Sequence, residues 1–110
     1  MNEKKLGIEA TAFFSVYLEK DNSKLDYHLK MATDNNPNIQ SCYITSGDVD
    51  VFIIAKFFSL GDYKEFTYNF TDLFADIKIA KYSSQLVIKS ICEGRPLPLY
   101  ETPYVDWGRS

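Results

Sequence analysis

Residues 42–58 read CYITSGDVDVFIIAKFF. This stretch predicts two strands joined by a tight turn. Cys42, Tyr43 and Ile44 precede the turn, and Ser46, Gly47 and Asp48 make it. After it, Val49, Val51, Ile53, Ala55 and Phe57 alternate with Asp50, Phe52, Ile54, Lys56 and Phe58. A strand sends successive side chains to opposite faces, so the apolar residues here occupy both faces. Gly47 takes a positive φ without steric penalty, which a hairpin turn demands. Asp48 and Asp50 stand two residues apart, so on a strand they share a side.

The pattern extends outward on both sides of this hairpin. Upstream, Ile8, Ala10, Ala12, Phe14, Val16 and Leu18 alternate with Glu9, Thr11, Phe13, Ser15 and Tyr17, predicting a first strand over 8–18 that is greasy on both faces. Ser23 with Asp26 three positions on predicts a capped helix start. Leu25, His28, Leu29 and Ala32 then form one helical stripe, ended by Asp34-Asn35-Asn36-Pro37. The second strand is predicted over 39–45 and the third over 49–58. Downstream, Leu60-Gly61-Asp62 reads as a turn, with Asp62 and Glu65 repeating the cap pattern. Tyr63, Phe66, Phe70 and Leu73 give a second amphipathic helix. A fourth strand is expected at Ile77 and Ile79 and then over 86–91, with Tyr82-Ser83-Ser84-Gln85 as a bulge or bend inside it.

The order β-α-β-β-α-β predicts an α+β, ferredoxin-like domain: one four-stranded antiparallel sheet with two helices on one face. Two helices cover only one face. Phe13, Tyr17, Phe52, Ile54 and Phe58 lie in the register opposite to the other large residues, so one apolar set faces away from the helices. A bare patch of that size exceeds what a monomer tolerates. The expected closure is a two-fold homodimer packed sheet to sheet, a dimeric α+β barrel.

Composition narrows the function classes. The chain has 110 residues, 45% of them hydrophobic and 15% aromatic, enough for one domain with a modest core. A net charge of −3 without a Lys/Arg run argues against direct nucleic-acid binding. The sequence holds no apolar run long enough to span a membrane and no leader-like start, so the expected location is the cytoplasm. Cys42 and Cys92 lack a C-x-x-C spacing and are read as reduced core thiols. His28, the only histidine, is read as a boundary residue of its helix. No metal-spaced ligand set and no nucleophile–base pair is visible, so no cofactor, metal or catalytic residue is expected.

With these residues in place, the chain resembles the C-terminal effector-binding domain (RAM domain) of the Lrp/AsnC transcriptional regulators. The resemblance rests on Pro37-x-Ile39, Cys42-Tyr43, Gly47-Asp48-x-Asp50, the apolar third strand, Ser84 ahead of Leu86-Val87-Ile88-Lys89, and the closing Leu97-Pro98-Leu99. Lys4-Lys5-Leu6-Gly7 is similar to the linker that enters this domain in full-length regulators. The family usually has an aromatic residue at the position of Val49, and threonine at those of Ser46 and Ser84.

The resemblance implies amino-acid sensing and oligomerisation. It implies a free amino acid or similar small molecule near the hairpin, at Tyr43, Ser46, Gly47, Asp48, Asp50 and Ser84. It also implies homodimers, octamer-like rings of dimers, and mixing with full-length paralogues. Backbone N–H groups around a Gly turn form a nest for an α-carboxylate, and a neighbouring carboxylate pairs with an ammonium. The residues alone leave a second role open: Gly47 and Asp48 making only the turn, and Asp50 bonding backbone amides. Residues 1–99 are expected to form the domain and 100–110 a tail or arm. The seven residues before the first strand leave no room for the family's helix-turn-helix, so the chain is expected to be either a stand-alone domain or one cut from a larger regulator, and not to bind DNA by itself. Two other classes stay in view: a small dimeric α+β barrel enzyme of the monooxygenase type, and a pure assembly module.

Overall fold

The computed structural model describes residues 10–98. The elements are β1 (Ala10–Leu18), α1 (Leu25–Asp34), β2 (Ile39–Ile44), β3 (Val51–Phe57), α2 (Leu60–Tyr68), the short α3 (Phe70–Leu73) and β4 (Ile79–Leu86). The strands form one antiparallel sheet in the order β2-β3-β1-β4. This is the expected ferredoxin-like arrangement, with β1 and β3 in the centre. The first strand's expected start at Ile8 and Glu9, the linker-like residues 4–7, Leu99 and the 100–110 tail lie outside the described residues.

The alternation in β1 and β3 sorts their side chains as predicted. Ala10, Ala12, Phe14, Val16, Val51, Ile53, Ala55 and Phe57 are buried under the helices, while Thr11, Phe13, Ser15, Tyr17, Phe52, Ile54 and Lys56 face the other way and are half-buried. Phe14 is the centre of the core. Its ring stacks on Phe70 at 4.9 Å between centroids and meets Phe66 at 5.3 Å. Phe57, Phe66 and Phe74 complete the aromatic layer. The Tyr63, Phe66, Phe70, Leu73 stripe therefore does face the sheet, although the helix breaks at Asn69 between α2 and α3.

Both helix starts differ from expectation. Lys24 takes a left-handed conformation with φ of 53°, and α1 begins only at Leu25, without a side-chain cap. That left-handed residue turns the chain abruptly, so Ser23 does not cap the first turn. Asn22 instead ties the ends of β1 and β4 together, donating to the carbonyls of Glu19 and Lys78 and accepting from the Lys78 N–H. At α2 the cap comes earlier than predicted. Ser59 Oγ accepts from the Asp62 N–H at 3.1 Å, so Leu60-Gly61-Asp62 is the first helical turn and not a separate turn.

The fourth strand is also displaced. It runs continuously through Tyr82–Gln85 and ends at Leu86, so the polar stretch is regular strand and 87–91 is not. The reason lies on the helix side. Tyr82 meets Phe70 in a tilted pair, 4.4 Å between ring centroids, and donates its hydroxyl to Thr67 O, while Ser84 bonds the Tyr63 hydroxyl. These polar atoms find partners in the core-facing layer and need no bulge. The irregularity falls instead opposite Tyr17 and Leu18.

Phe70→Ala is expected to lower the unfolding free energy by about 3–5 kcal/mol, the range for emptying a buried Phe site. Tyr68→Ala, at an 89% exposed position on the neighbouring turn, should stay within about 0.5 kcal/mol. Urea denaturation of both variants checks the contrast.

Candidate functional site

The β2–β3 connection is wider than a tight turn. β2 ends at Ile44 and β3 starts at Val51, leaving residues 45–50 as a loop. Its base is closed by Thr45, whose N–H donates to Asp50 O at 3.0 Å and whose hydroxyl donates to Val49 O at 2.7 Å. Gly47 sits at the tip with φ of 99°, with no other atom within 4 Å of a built Cβ, so its constraint is conformational and not one of space.

Asp50 is held by both of its backbone groups and by one carboxylate oxygen. Its carbonyl accepts from Thr45, its N–H donates to Val16 O at 3.1 Å, and its carboxylate Oδ2 accepts from the Leu18 N–H at 2.8 Å. It thus joins the hairpin to the central strand β1, and Asp48 and Asp50 do not share a strand side. The amide-bonding role weighed from sequence is present in the geometry. Ser46, Gly47 and Asp48, by contrast, are exposed at the tip.

The six residues singled out from sequence do not converge within one chain. Tyr43 pairs opposite Phe52, so it belongs to the face away from the helices, where it is 52% exposed. Ser84 pairs opposite Phe14, on the helix face, with its Oγ 2.9 Å from the Tyr63 hydroxyl. β2 and β4 are the two sheet edges, roughly 14 Å apart at the usual strand spacing. Tyr43, Ser46, Gly47, Asp48 and Asp50 cluster around the hairpin, and Ser84 stands apart.

The open sheet face has its own chemistry. Phe13 and Phe52 lie 5.6 Å apart between ring centroids, and Lys81 Nζ sits 4.8 Å over the Tyr17 ring. Beside them is a groove of about 740 Å³ with Phe13, Ile54 and Lys56 on its floor and Val87, Ile91 and Cys92 in its wall. Sequence reasoning missed this groove, because it expected 86–91 to stay within the sheet. Both cysteines are free. Cys42 packs half-buried against the core, and burial pushes its thiol up from the usual value. Cys92 is exposed, so its assignment as a core thiol is corrected. His28 is half-buried on α1 as expected of a boundary residue, with a buried Nδ1 that has no hydrogen-bond partner. Among the described residues no group of His, Cys, Asp and Glu is placed to hold a metal, and no helix is long and apolar enough to cross a membrane.

The sequence model for the Lrp/AsnC ligand binding domain matches residues 11–97. No curated protein matches the chain. Among solved structures, an AsnC family transcriptional regulator from Agrobacterium tumefaciens is similar at a TM-score of 0.69 and 21% identity, over 89% of this chain and 62% of that one. A transcriptional regulator from Neisseria meningitidis, in complex with L-methionine, gives 0.70 and 19% over the same shares. A feast or famine regulatory protein from M. tuberculosis, complexed with L-methionine, gives 0.65 and 15%, over 88% and 62%. At these identities the structural likeness is one of fold. The chain spans 62% of the length of these regulators.

The two aspartates separate a structural from an exposed role. Asp50→Ala removes a charged acceptor from the Leu18 amide and is expected to destabilise the domain by about 1.5–3 kcal/mol. Asp48→Ala should leave stability within about 0.5 kcal/mol. Chemical denaturation midpoints of the two variants measure both.

Proposed function

The chain belongs to the Lrp/AsnC ligand-binding domain family, and on that premise we propose that it senses a free amino acid or similar small molecule and assembles into homodimers. The observation that best supports this reading is the exposed tip of the 45–50 loop inside the matched region, with Gly47 at positive φ and the Asp48 carboxylate beside it. Backbone amides around Gly47 receive the ligand's carboxylate, and Asp48 faces its ammonium. Ser46 and Tyr43 supply hydroxyls next to the loop. Asp50 holds the loop's base and offers its second carboxylate oxygen. Ser84 stands at the opposite sheet edge, so in this reading it joins a ligand site completed between copies, in a ring of dimers.

The rest of the reading follows from the same premise. The open sheet face packs on a second copy. Residues 1–99 are taken as the domain and 100–110 as a tail or arm. The chain does no catalysis, works in the cytoplasm, and reaches DNA only through full-length paralogues with which it mixes. An acidic chain without a basic stripe has no electrostatic footprint for nucleic acid. A second reading, assembly without ligand, draws support from the intrachain bonds that already engage Asp50 and Ser84.

A thermal-shift panel of free amino acids separates the two. L-methionine heads the panel, because two of the similar regulators hold it. At a ligand concentration of about 100 Kd, binding adds roughly 2.7 kcal/mol and raises Tm by on the order of 10 °C. Gly47→Val, which resists positive φ, should weaken the best ligand at least about tenfold by calorimetry. No shift with any amino acid favours the assembly reading. Light scattering should give a dimer or a multiple of it. A gel-shift assay at physiological salt should show no complex with DNA.

A further inference from the structure

Ser84 sits on the edge strand β4, with its side chain on the helix side of the sheet, opposite Phe14. Its Oγ lies 2.9 Å from the Tyr63 hydroxyl of α2, and both residues are half-buried. Neither oxygen has another hydrogen-bond partner among the described residues. Each hydroxyl brings one hydrogen, so two hydroxyls that share one bond leave one hydrogen unspent.

Chemistry and packing decide which hydrogen is left. A phenol is more acidic than an aliphatic alcohol and is the stronger donor of the two, so Tyr63 donates and Ser84 accepts. The Tyr63 ring is held beside Phe57 and Phe14, with centroids 5.7 and 6.5 Å away, which fixes where the phenol oxygen stands. The Ser84 hydrogen then points away from Tyr63, and no described group accepts it. The neighbouring hydroxyl on the same side of the strand differs, because Tyr82 spends its only hydrogen on the Thr67 carbonyl. Ser84 therefore carries the unspent donor on the helix side of this edge. A hydroxyl whose oxygen receives a bond is polarised, and its own hydrogen is held more firmly by the next acceptor. The acceptor that gains most is an anion such as a carboxylate.

From this arrangement we infer that Tyr63 is a positioning residue of the ligand site: its phenol makes the Ser84 hydroxyl an outward-aimed donor for the carboxylate of a bound amino acid. The inference rests on the amino-acid site proposed above, in which Gly47 of one copy and Ser84 of another meet the same ligand. It adds that the bond from Tyr63 prepares Ser84 for binding and does not withdraw it. Tyr63 acts only through Ser84.

Calorimetry in a double-variant cycle tests this, with L-methionine or with the amino acid of the panel that raises Tm most. Tyr63→Phe keeps the ring contacts and removes only the phenol oxygen, so its circular dichroism spectrum should match that of the natural chain. Ser84→Ala is expected to raise Kd at least about tenfold, and Tyr63→Phe about fivefold. Because the phenol works through Ser84, Tyr63→Phe/Ser84→Ala should bind no more weakly than Ser84→Ala alone. Ser84→Thr keeps the hydroxyl and should stay within about threefold of the natural chain. Natural affinity in Tyr63→Phe overturns the inference. So does a Tyr63→Phe loss that persists undiminished in the Ser84→Ala background, or a Ser84→Thr chain that binds as weakly as Ser84→Ala. In each of these cases amino-acid sensing still stands. A natural chain that binds no amino acid of the panel removes the sensing reading and this inference together.

Discussion

Phe14 lies flat against Phe70, and neither ring has solvent exposure. This stack fixes which side of β1 the helices occupy. Once Phe14 points to the helices, the period of two sends Phe13 and Ser15 to the other side, and the antiparallel pairing carries the same division into β3 and β4. The short helical layer has enough aromatic surface to cover that one side. The other side keeps Phe13, Phe52, Ile54 and Tyr17 half-buried. The proposed assembly is therefore a consequence of how the core was filled.

The hairpin shows a division of labour along six residues. Asp50 is bound into the central strand by its carbonyl, its N–H and its carboxylate. Three residues earlier, Gly47 meets no other atom where a Cβ would stand. A firm base under an open tip suits the proposed recognition of a small charged molecule, because amides oriented beforehand leave little ordering to be done on binding.

The fold was legible where apolar period and burial coincide. Phe14, Ile53 and Phe57 lie on the predicted face, and the α2 stripe survives a break at Asn69. What escaped was decided by polar side chains reaching across the structure. Tyr82 and Ser84 read as an interruption in β4, but their hydroxyls bond Thr67 and Tyr63 on the helix above. Ser59 rather than Asp62 caps α2, because an extended residue before the helix aims its hydroxyl at the third amide. The hairpin as a candidate site was visible from Gly47 and its carboxylates. The occupation of Asp50 by the Leu18 amide was not, since that bond joins residues 32 positions apart. The separation of Ser84 from Tyr43 became visible only with the strand order.

The anchoring of Asp50 also bears on how such a domain diversifies. Because the loop's base is held by Asp50 and Thr45, side chains at Ser46 and Asp48 contribute little to folding. Most random changes to a protein erode its stability and are lost for that reason. Changes at the tip escape that filter. At the proposed amino-acid site, Ser46 and Asp48 are therefore positions whose side chains can change at little cost to the fold, whereas changes to Asp50 or to the Phe14 core cost the fold directly.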